Sequence, residues 1–163
     1  MSNGEADVRA LALAVFATTG RLISTGNELV SPLGLTSAWW QVLGALRYSP
    51  SPLPTVAIAR NMGLTRQAVQ RIVDLLAERG LVEFKVNPRH RRAKLVVLTE
   101  AGIAAVTQAE QAVAPLDQAI ADQLGSARLR DAVRTLEAMN TILGAWTGKD
   151  AASSASAPNP KGK

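Results

Sequence analysis

Four polar side chains in the middle of the chain are spaced so that one helix face would carry them. Gln67 and Gln70 are three positions apart, and Arg66 and Gln70 are four apart, as are Gln67 and Arg71. Residues three or four positions apart are neighbours on a helix. Arginine and glutamine pair bidentately with the edges of guanine and adenine in the major groove. This face, with Thr65 before it, is therefore a candidate contact surface for double-stranded DNA. The alternative is an ordinary solvated helix face.

A second basic group lies further along the chain, in the polar segment 87–93. Arg89, Arg91 and Arg92 are candidates for contacts with phosphate or with the minor groove, where arginine is favoured. On the helix itself, Arg71 could contact phosphate or could pair with Asp74 or Glu78, and these roles are compatible.

The distribution of charge supports a polyanionic partner. The net charge of the chain is +5, and residues 60–94 carry nine basic and three acidic side chains. Residues 1–59 are neutral in sum, and residues 95–163 have one excess acid. All the excess positive charge is therefore concentrated around the two arginine-containing segments, which favours binding to nucleic acid because neutralised phosphates release counterions. A basic solvated surface is the alternative.

Composition excludes several kinds of site. The 163 residues include no cysteine and one histidine, His90, which excludes disulfides, thiolate metal sites, cysteine nucleophiles and sites with two histidines. No catalytic residue, metal ligand or cofactor site is predicted. The chain has no uninterrupted apolar run of about 18 residues and no signal peptide at its N-terminus. We therefore expect a soluble cytoplasmic protein with no membrane partner.

Two helices joined by a tight turn must position the polar face. A short helix is predicted over residues 55–62, and Gly63 can supply the turn. Thr65 is predicted to cap a second helix that continues to Arg79. The positions expected to face inward are Val56, Ala59 and Met62 on the first helix and Val69, Ile72, Val73, Leu76 and Ala77 on the second.

The period of the apolar pattern then changes from that of a helix to that of a strand. Gly80 suits a left-handed helix end, and Val82, Phe84 and Val86 alternate with charged residues. A second short strand is predicted over residues 94–98. Together the strands predict a hairpin whose tip carries the arginines.

Long helices flank this central unit. Helices are predicted over residues 5–30 and 36–48, and another over residues 99–124, where Pro115 should kink or divide it. The last helix should continue to about residue 146. Its apolar seam consists of Leu129, Val133, Leu136, Asn140 and Leu143. Asn140 either fixes the register of a dimer within this seam or faces water.

The central segment resembles the MarR family of bacterial transcription regulators. The resemblance spans about residues 5–147 and rests on an ordered set of short matches. These are Ile58-Ala59, Gly63-Leu64-Thr65, Arg71, Asp74, Leu76, Glu78, Gly80-Leu81-Val82, Arg91-Arg92 and Leu98-Thr99, with Leu35-Thr36, Trp40 and Val42-Leu43 upstream. The resemblance implies a mainly α fold with a small β-hairpin wing, in which a winged helix-turn-helix is flanked by dimerisation helices.

The resemblance also implies an organisation and a function. Residues 1–147 would form one domain, with the winged helix-turn-helix at about 53–98 and dimerisation helices at 5–30 and 99–147. The tail at 148–163 is rich in Ala, Ser and Pro, and this composition predicts that it is disordered. The protein would be a homodimeric, sequence-specific DNA-binding regulator, expected to repress a pseudo-palindromic operator and to be released by a small aromatic or phenolic ligand. The alternative is a winged-helix module that binds another protein and has no specific DNA recognition.

Two further residue pairs are interpreted through the resemblance. Trp39 and Trp40 are either core residues or the edge of a ligand crevice between the dimerisation helices and the winged unit. The wing has Asn87 and His90 where the family commonly has aspartates that brace the wing arginines. This departure predicts a wing that is looser or more strongly attracted to phosphate, with Arg91 at the position that resembles the family's minor-groove arginine.

Overall fold

A computed structural model describes residues 3–146 and confirms the predicted fold class: six helices and a small three-stranded sheet lie within this part of the chain. The tail predicted at 148–163 lies outside the described residues. The elements in chain order are α1 (Asn3–Val30), a 3-10 turn (Ser31–Leu33), α2 (Ser37–Arg47), β1 (Leu53–Pro54), α3 (Thr55–Met62), α4 (Arg66–Glu78), β2 (Val82–Lys85), β3 (Leu95–Leu98), α5 (Glu100–Leu124) and α6 (Ser126–Ala145).

The sheet is antiparallel and has the strand order β1-β3-β2. The predicted hairpin is present, with Phe84 opposite Val96. The first strand was not predicted, because it contains only Leu53 and Pro54 and lies in a proline-rich segment with no alternating pattern. It pairs with the free edge of β3 and so connects the wing to the start of α3.

The chain divides into two compact units at Pro115. The first unit contains a core built from α1–α4, the sheet and the first part of α5. Its buried apolar residues are Val30, Leu35, Val42, Leu43, Ile58, Ala59, Val69, Val73, Leu76, Val82, Val96, Val106, Ala109 and Val113. Because this core lies directly behind α3 and α4, it holds those two helices in place.

The second unit contains the rest of α5 and all described residues of α6. The helix α5 continues through Pro115, so the proline does not divide it into two helices. No residue of α6 is buried, and Val133, Leu143 and Ile142 are all more than half exposed. Asn140 is exposed as well, so burial within one chain does not distinguish the two interpretations of the seam.

Two predictions are wrong: the inward direction of Val56 on α3 and the extension of the first hairpin strand to Val86. Val56 is 45% exposed, whereas Thr55 and Ile58 on the same helix are buried. The inward face of α3 consists of Thr55 and the residues three and four positions later, Ile58 and Ala59. Thr55 therefore occupies the buried position that was expected for Val56. Val86 is 81% exposed because β2 ends at Lys85 and the alternating pattern has no sheet partner beyond that residue.

Candidate nucleic-acid interface

The turn before α4 has the geometry that the sequence predicts. Gly63 adopts a left-handed conformation with φ of 64°, which a residue with a Cβ atom adopts at a cost. The Leu64 amide donates to the Ala59 carbonyl at 3.0 Å. The Thr65 hydroxyl then accepts from the Ala68 amide at 3.1 Å and caps α4. Arg66 and Gln67 therefore lie in the first turn of a capped helix.

Burial on one side of α4 fixes which side faces solvent. Val69, Val73 and Leu76 have no exposed surface, as predicted. Arg66, Gln67 and Arg71 are exposed, while Gln70 is half-buried. Rotation of the helix would expose the apolar stripe, which is unfavourable by about 25 cal/mol for each Å² of apolar surface.

The end of α4 leads the chain into the wing through two close contacts. Gly80 has φ of 70°, and the Leu81 amide donates to the Leu76 carbonyl at 2.9 Å, as in a Schellman helix end. The Thr99 hydroxyl donates to the Gly80 carbonyl at 2.6 Å and accepts from the Gly102 amide at 3.1 Å. A Cβ atom on Gly102 would lie 1.9 Å from the Leu81 carbonyl oxygen, so only glycine allows this approach of α5.

The loop of the wing is held by hydrogen bonds to Asn87. Its side-chain oxygen accepts from the Arg89 amide at 3.0 Å, and its carbonyl accepts from the His90 amide at 3.2 Å. Asn87 is buried. Arg89, Arg91 and Arg92 are exposed, and no ion pair holds them within residues 3–146. Asparagine thus fixes the backbone of the wing and leaves its guanidinium groups free for a partner.

The outer face of α4 and the wing enclose a cleft of about 510 Å³. The polar side chains that line it include Arg66, Gln70 and Asp74 from the helix. The wing side contributes His90, Arg92 and Lys94. Of the predicted contact residues, the structure brings Arg66, Gln70 and Arg92 together here. Gln67, Arg71, Arg89 and Arg91 are exposed outside the cleft lining.

Two residues of this region were not identified as site residues from the sequence. The Gln70 side-chain amide donates to a carboxylate oxygen of Asp74 at 2.8 Å, so Asp74 pairs with Gln70 and not with Arg71. Arg71 has no ion-pair partner within residues 3–146. Lys94 lies over the Phe84 ring, 5.8 Å from its centre. The four-residue spacing of Gln70 and Asp74 was the available signal.

The predicted ligand residues lie in a separate place. Trp39 and Trp40 are half-buried and pack against the core. The Arg79 guanidinium lies over the Trp39 ring at 4.6 Å from its centre and donates to the Gly34 carbonyl at 3.2 Å. Trp40 lies 3.5 Å from where a Cβ atom on Gly26 would be. Both tryptophans therefore have structural contacts, and neither lines the α4–wing cleft.

Within residues 3–146, no group of three or more His, Asp or Glu side chains is arranged to hold a metal ion. The segment Asn3–Leu33 is long and apolar enough to cross a membrane by length and composition alone, and none of its apolar window is buried within the chain. The criterion of an uninterrupted apolar run did not find this segment. The same exposure is also typical of a helix that packs against a second protein chain.

Comparison with known proteins gives a consistent result. The MarR family model matches residues 33–93. The multiple antibiotic resistance protein MarR of Escherichia coli is 34% identical over 111 residues, which cover 68% of this chain and 74% of that protein.

Two solved structures resemble the fold, each with a TM-score of 0.67. A mutant E. coli MarR in complex with operator DNA is 26% identical and covers 85% of this chain and 99% of that one. CouR from Rhodococcus jostii RHA1, bound to p-coumaroyl-CoA, is 25% identical and covers 80% of this chain and 91% of that one.

Proposed function

The chain belongs to the MarR family of transcriptional regulators, and on that premise we propose that it is a homodimeric cytoplasmic repressor of a pseudo-palindromic DNA operator. One observation carries the proposal: Val69, Val73 and Leu76 of α4 are fully buried, so its arginine and glutamine face is held outward beside wing arginines that form no ion pair within residues 3–146. The solved MarR complex with operator DNA supports DNA as the partner.

In the proposed complex α4 enters the major groove. Thr65, Arg66, Gln67 and Gln70 contact base edges there, because they occupy the first turns of the outward face. Arg71 is exposed on the same helix and contacts phosphate. The wing residues Arg89, Arg91 and Arg92 contact the adjacent minor groove or backbone, with Arg91 in the minor groove.

A second copy of the chain is proposed to cover the exposed apolar surfaces of the long helices. On α1, Leu13 and Phe16 are 68% and 72% exposed. On α6, Ile142 and Leu143 are 65% and 59% exposed. A two-fold dimer presents two copies of α4, so the operator contains half-sites about one helical turn apart. Repression then follows from occupation of a promoter.

The proposed organisation assigns a role to each part of the sequence. Residues 53–98 form the winged helix-turn-helix, and residues 5–30 and 99–147 supply dimerisation helices within one domain of 1–147. No enzymatic role is proposed for any residue. Recovery of a specific protein partner together with DNA binding that has no sequence preference would favour the alternative, a winged-helix protein interaction module.

A small aromatic effector completes the proposal. The relative CouR binds p-coumaroyl-CoA, and the half-buried Trp39 and Trp40 are the candidate side chains for an aromatic ligand here. Such a ligand relieves repression because it has a higher affinity for the form of the dimer that does not bind DNA. Titration of phenolic acids against tryptophan fluorescence tests this step, and unchanged emission together with unchanged DNA affinity would contradict it.

The roles of helix and wing are tested by two substitutions, measured by titration of labelled duplexes at several salt concentrations. Gln70→Ala should cost about 1–3 kcal/mol on the operator and little on random DNA, because it removes a base contact. Arg91→Ala should weaken binding to both and lower the salt slope by about one unit. Equal losses on both duplexes for Gln70→Ala would contradict base recognition, and an unchanged slope would remove Arg91 from the DNA contacts.

A further inference from the structure

The hydrogen bond between Gln70 and Asp74 restricts how the Gln70 amide meets a base. The glutamine nitrogen lies 2.8 Å from a carboxylate oxygen of Asp74, one helical turn further along α4. An aspartate carboxylate at neutral pH only accepts hydrogen bonds, so the amide nitrogen must face Asp74. The glutamine oxygen is then the atom directed away from the carboxylate, with one N–H left beside it.

A free glutamine has a choice that this glutamine lacks. Its amide can rotate by half a turn and present either an acceptor or a donor to a base. Adenine offers an amino donor and the N7 acceptor in the major groove, whereas guanine offers two acceptors and thymine one. A glutamine that presents an oxygen and one N–H therefore matches adenine, and its oxygen alone matches the cytosine amino group.

We infer that Asp74 is a positioning residue for specificity: by fixing the Gln70 amide, it makes Gln70 select adenine over guanine and thymine on the strand it contacts, with cytosine second. This inference rests on the proposed function and identifies one base of the operator by its chemistry. Asp74 lines the α4–wing cleft beside Gln70, so it is close enough to act during binding.

The test is selection of bound sequences from a random duplex library by the full-length protein and its variants. The wild type should select adenine at one position of each half-site, and Gln70→Ala should abolish that preference. Asp74→Asn frees the amide to rotate, since asparagine both donates and accepts. We expect the ratio of adenine to guanine at that position to fall about fivefold or more, with the other positions unchanged. Asp74→Glu, which keeps an acceptor-only carboxylate, should restore the preference.

Three controls separate positioning from charge and from folding. Glu78→Gln removes one negative charge from the same helix without touching Gln70 and should leave the base profile unchanged. Asp122→Asn makes the same change in the equivalent pair between Gln118 and Asp122, 2.7 Å apart on α5, and should also leave the base profile unchanged. Asp74→Asn in the Gln70→Ala background should change nothing further at that base. Asp74 is exposed, so these proteins should melt like the wild type.

The outcomes distinguish this inference from the proposed function. Selection of no sequence by the wild type would overturn both. A specific operator whose adenine preference survives in Asp74→Asn would overturn the inference alone. Two control results would overturn it as well: a base profile that Asp74→Asn changes further in the Gln70→Ala background, or a Glu78→Gln protein that loses the adenine preference. In either case Asp74 would act through its charge and not by positioning Gln70.

Discussion

The helices α4 and α6 have similar apolar patterns but opposite environments within the chain. On α4, Val69, Val73 and Leu76 are completely buried, and the polar face is directed to solvent. On α6, no residue is buried, and Val133, Leu136 and Leu143 of the apolar seam are exposed along with the polar positions. Both helices were predicted with nearly the correct bounds.

The comparison shows what an apolar stripe specifies. A stripe identifies the face of a helix that avoids water but not the surface that covers it. On α4 the covering surface comes from the same chain, so the outward face is fixed and is available for a partner. On α6 no surface of residues 3–146 buries the seam, and the proposed function assigns the cover to a second copy. Four predictions test this difference, from the largest expected change in stability to the smallest.

The largest effect is expected in the stripe of α4. Leu76→Ala should lower the free energy of unfolding by about 2–5 kcal/mol, because it leaves a cavity in a close-packed core. Urea denaturation at fixed protein concentration measures this loss. Leu75→Ala is the matched control, since Leu75 is 40% exposed on the same helix. Similar losses for the two variants would show that the α4 stripe is not the anchored face.

Two glycine substitutions, one on α5 and one on α6, compare the packing of these helices. Gly102→Ala should cost about 1–3 kcal/mol or more, because the new Cβ would lie 1.9 Å from the Leu81 carbonyl oxygen. The Cβ atom of Gly144→Ala would meet no atom within 4 Å among residues 3–146 outside its own helix backbone, and the change should be neutral or stabilising, since alanine favours a helix. Thermal unfolding of both variants measures the difference. A neutral Gly102→Ala would contradict the close approach of α5 to Leu81.

The N-termini of the two helices differ in their caps. Thr65→Ala should cost about 1 kcal/mol by removing the hydroxyl that accepts from the Ala68 amide. Thr65→Ser keeps that acceptor and should retain most of the stability. By contrast, the N-cap residue of α6 is Gly125, which has no side chain to cap the helix. Chemical denaturation of the three proteins gives the comparison, and equal losses for alanine and serine would exclude capping as the role of Thr65.

The smallest change in the stability of the single chain is expected on α6. Leu143→Asp should change it by no more than about 0.5 kcal/mol, because Leu143 is 59% exposed. In the proposed dimer the same substitution would bury a charge without a partner, which destabilises the interface. Sedimentation velocity should therefore give the mass of one chain, and circular dichroism should show unchanged helix content. Ser126→Asp adds the same charge at the start of α6 and should remain dimeric. A dimeric Leu143→Asp would remove this face of α6 from the interface.

Sequence reasoning was most successful where a local signal and a buried stripe agreed. The Thr65 cap, the Gly63 turn and the Gly80 helix end each have their own chemistry, so the position and outward face of α4 were predictable. It failed at Val56 and Val86, because the rotation of a short helix and the end of a strand depend on contacts that are distant in the sequence. Because valine is more hydrophobic than threonine, Val56 was expected to face inward, whereas Thr55 is the buried residue.

The candidate site shows the same division. The residue types and spacing on α4 predicted a polar outer face, and Arg66, Gln67 and Arg71 are exposed there. The contacts of this face and of the wing with DNA stay predictions. The partner of Gln70 was not predicted, because Asp74 had a second neighbour of opposite charge in Arg71 and spacing alone does not choose between them. The strand β1, which connects the wing to α3, was missed because two residues carry no period.

The most direct test of the central claim is selection of bound sequences from a random duplex library at two salt concentrations. The account predicts a pseudo-palindrome with half-sites about one helical turn apart, retained at the higher salt, because base contacts by two copies of α4 add to the contacts with phosphate. Recovery of only random, salt-sensitive duplex would contradict it, since the basic surface would then bind the DNA backbone alone.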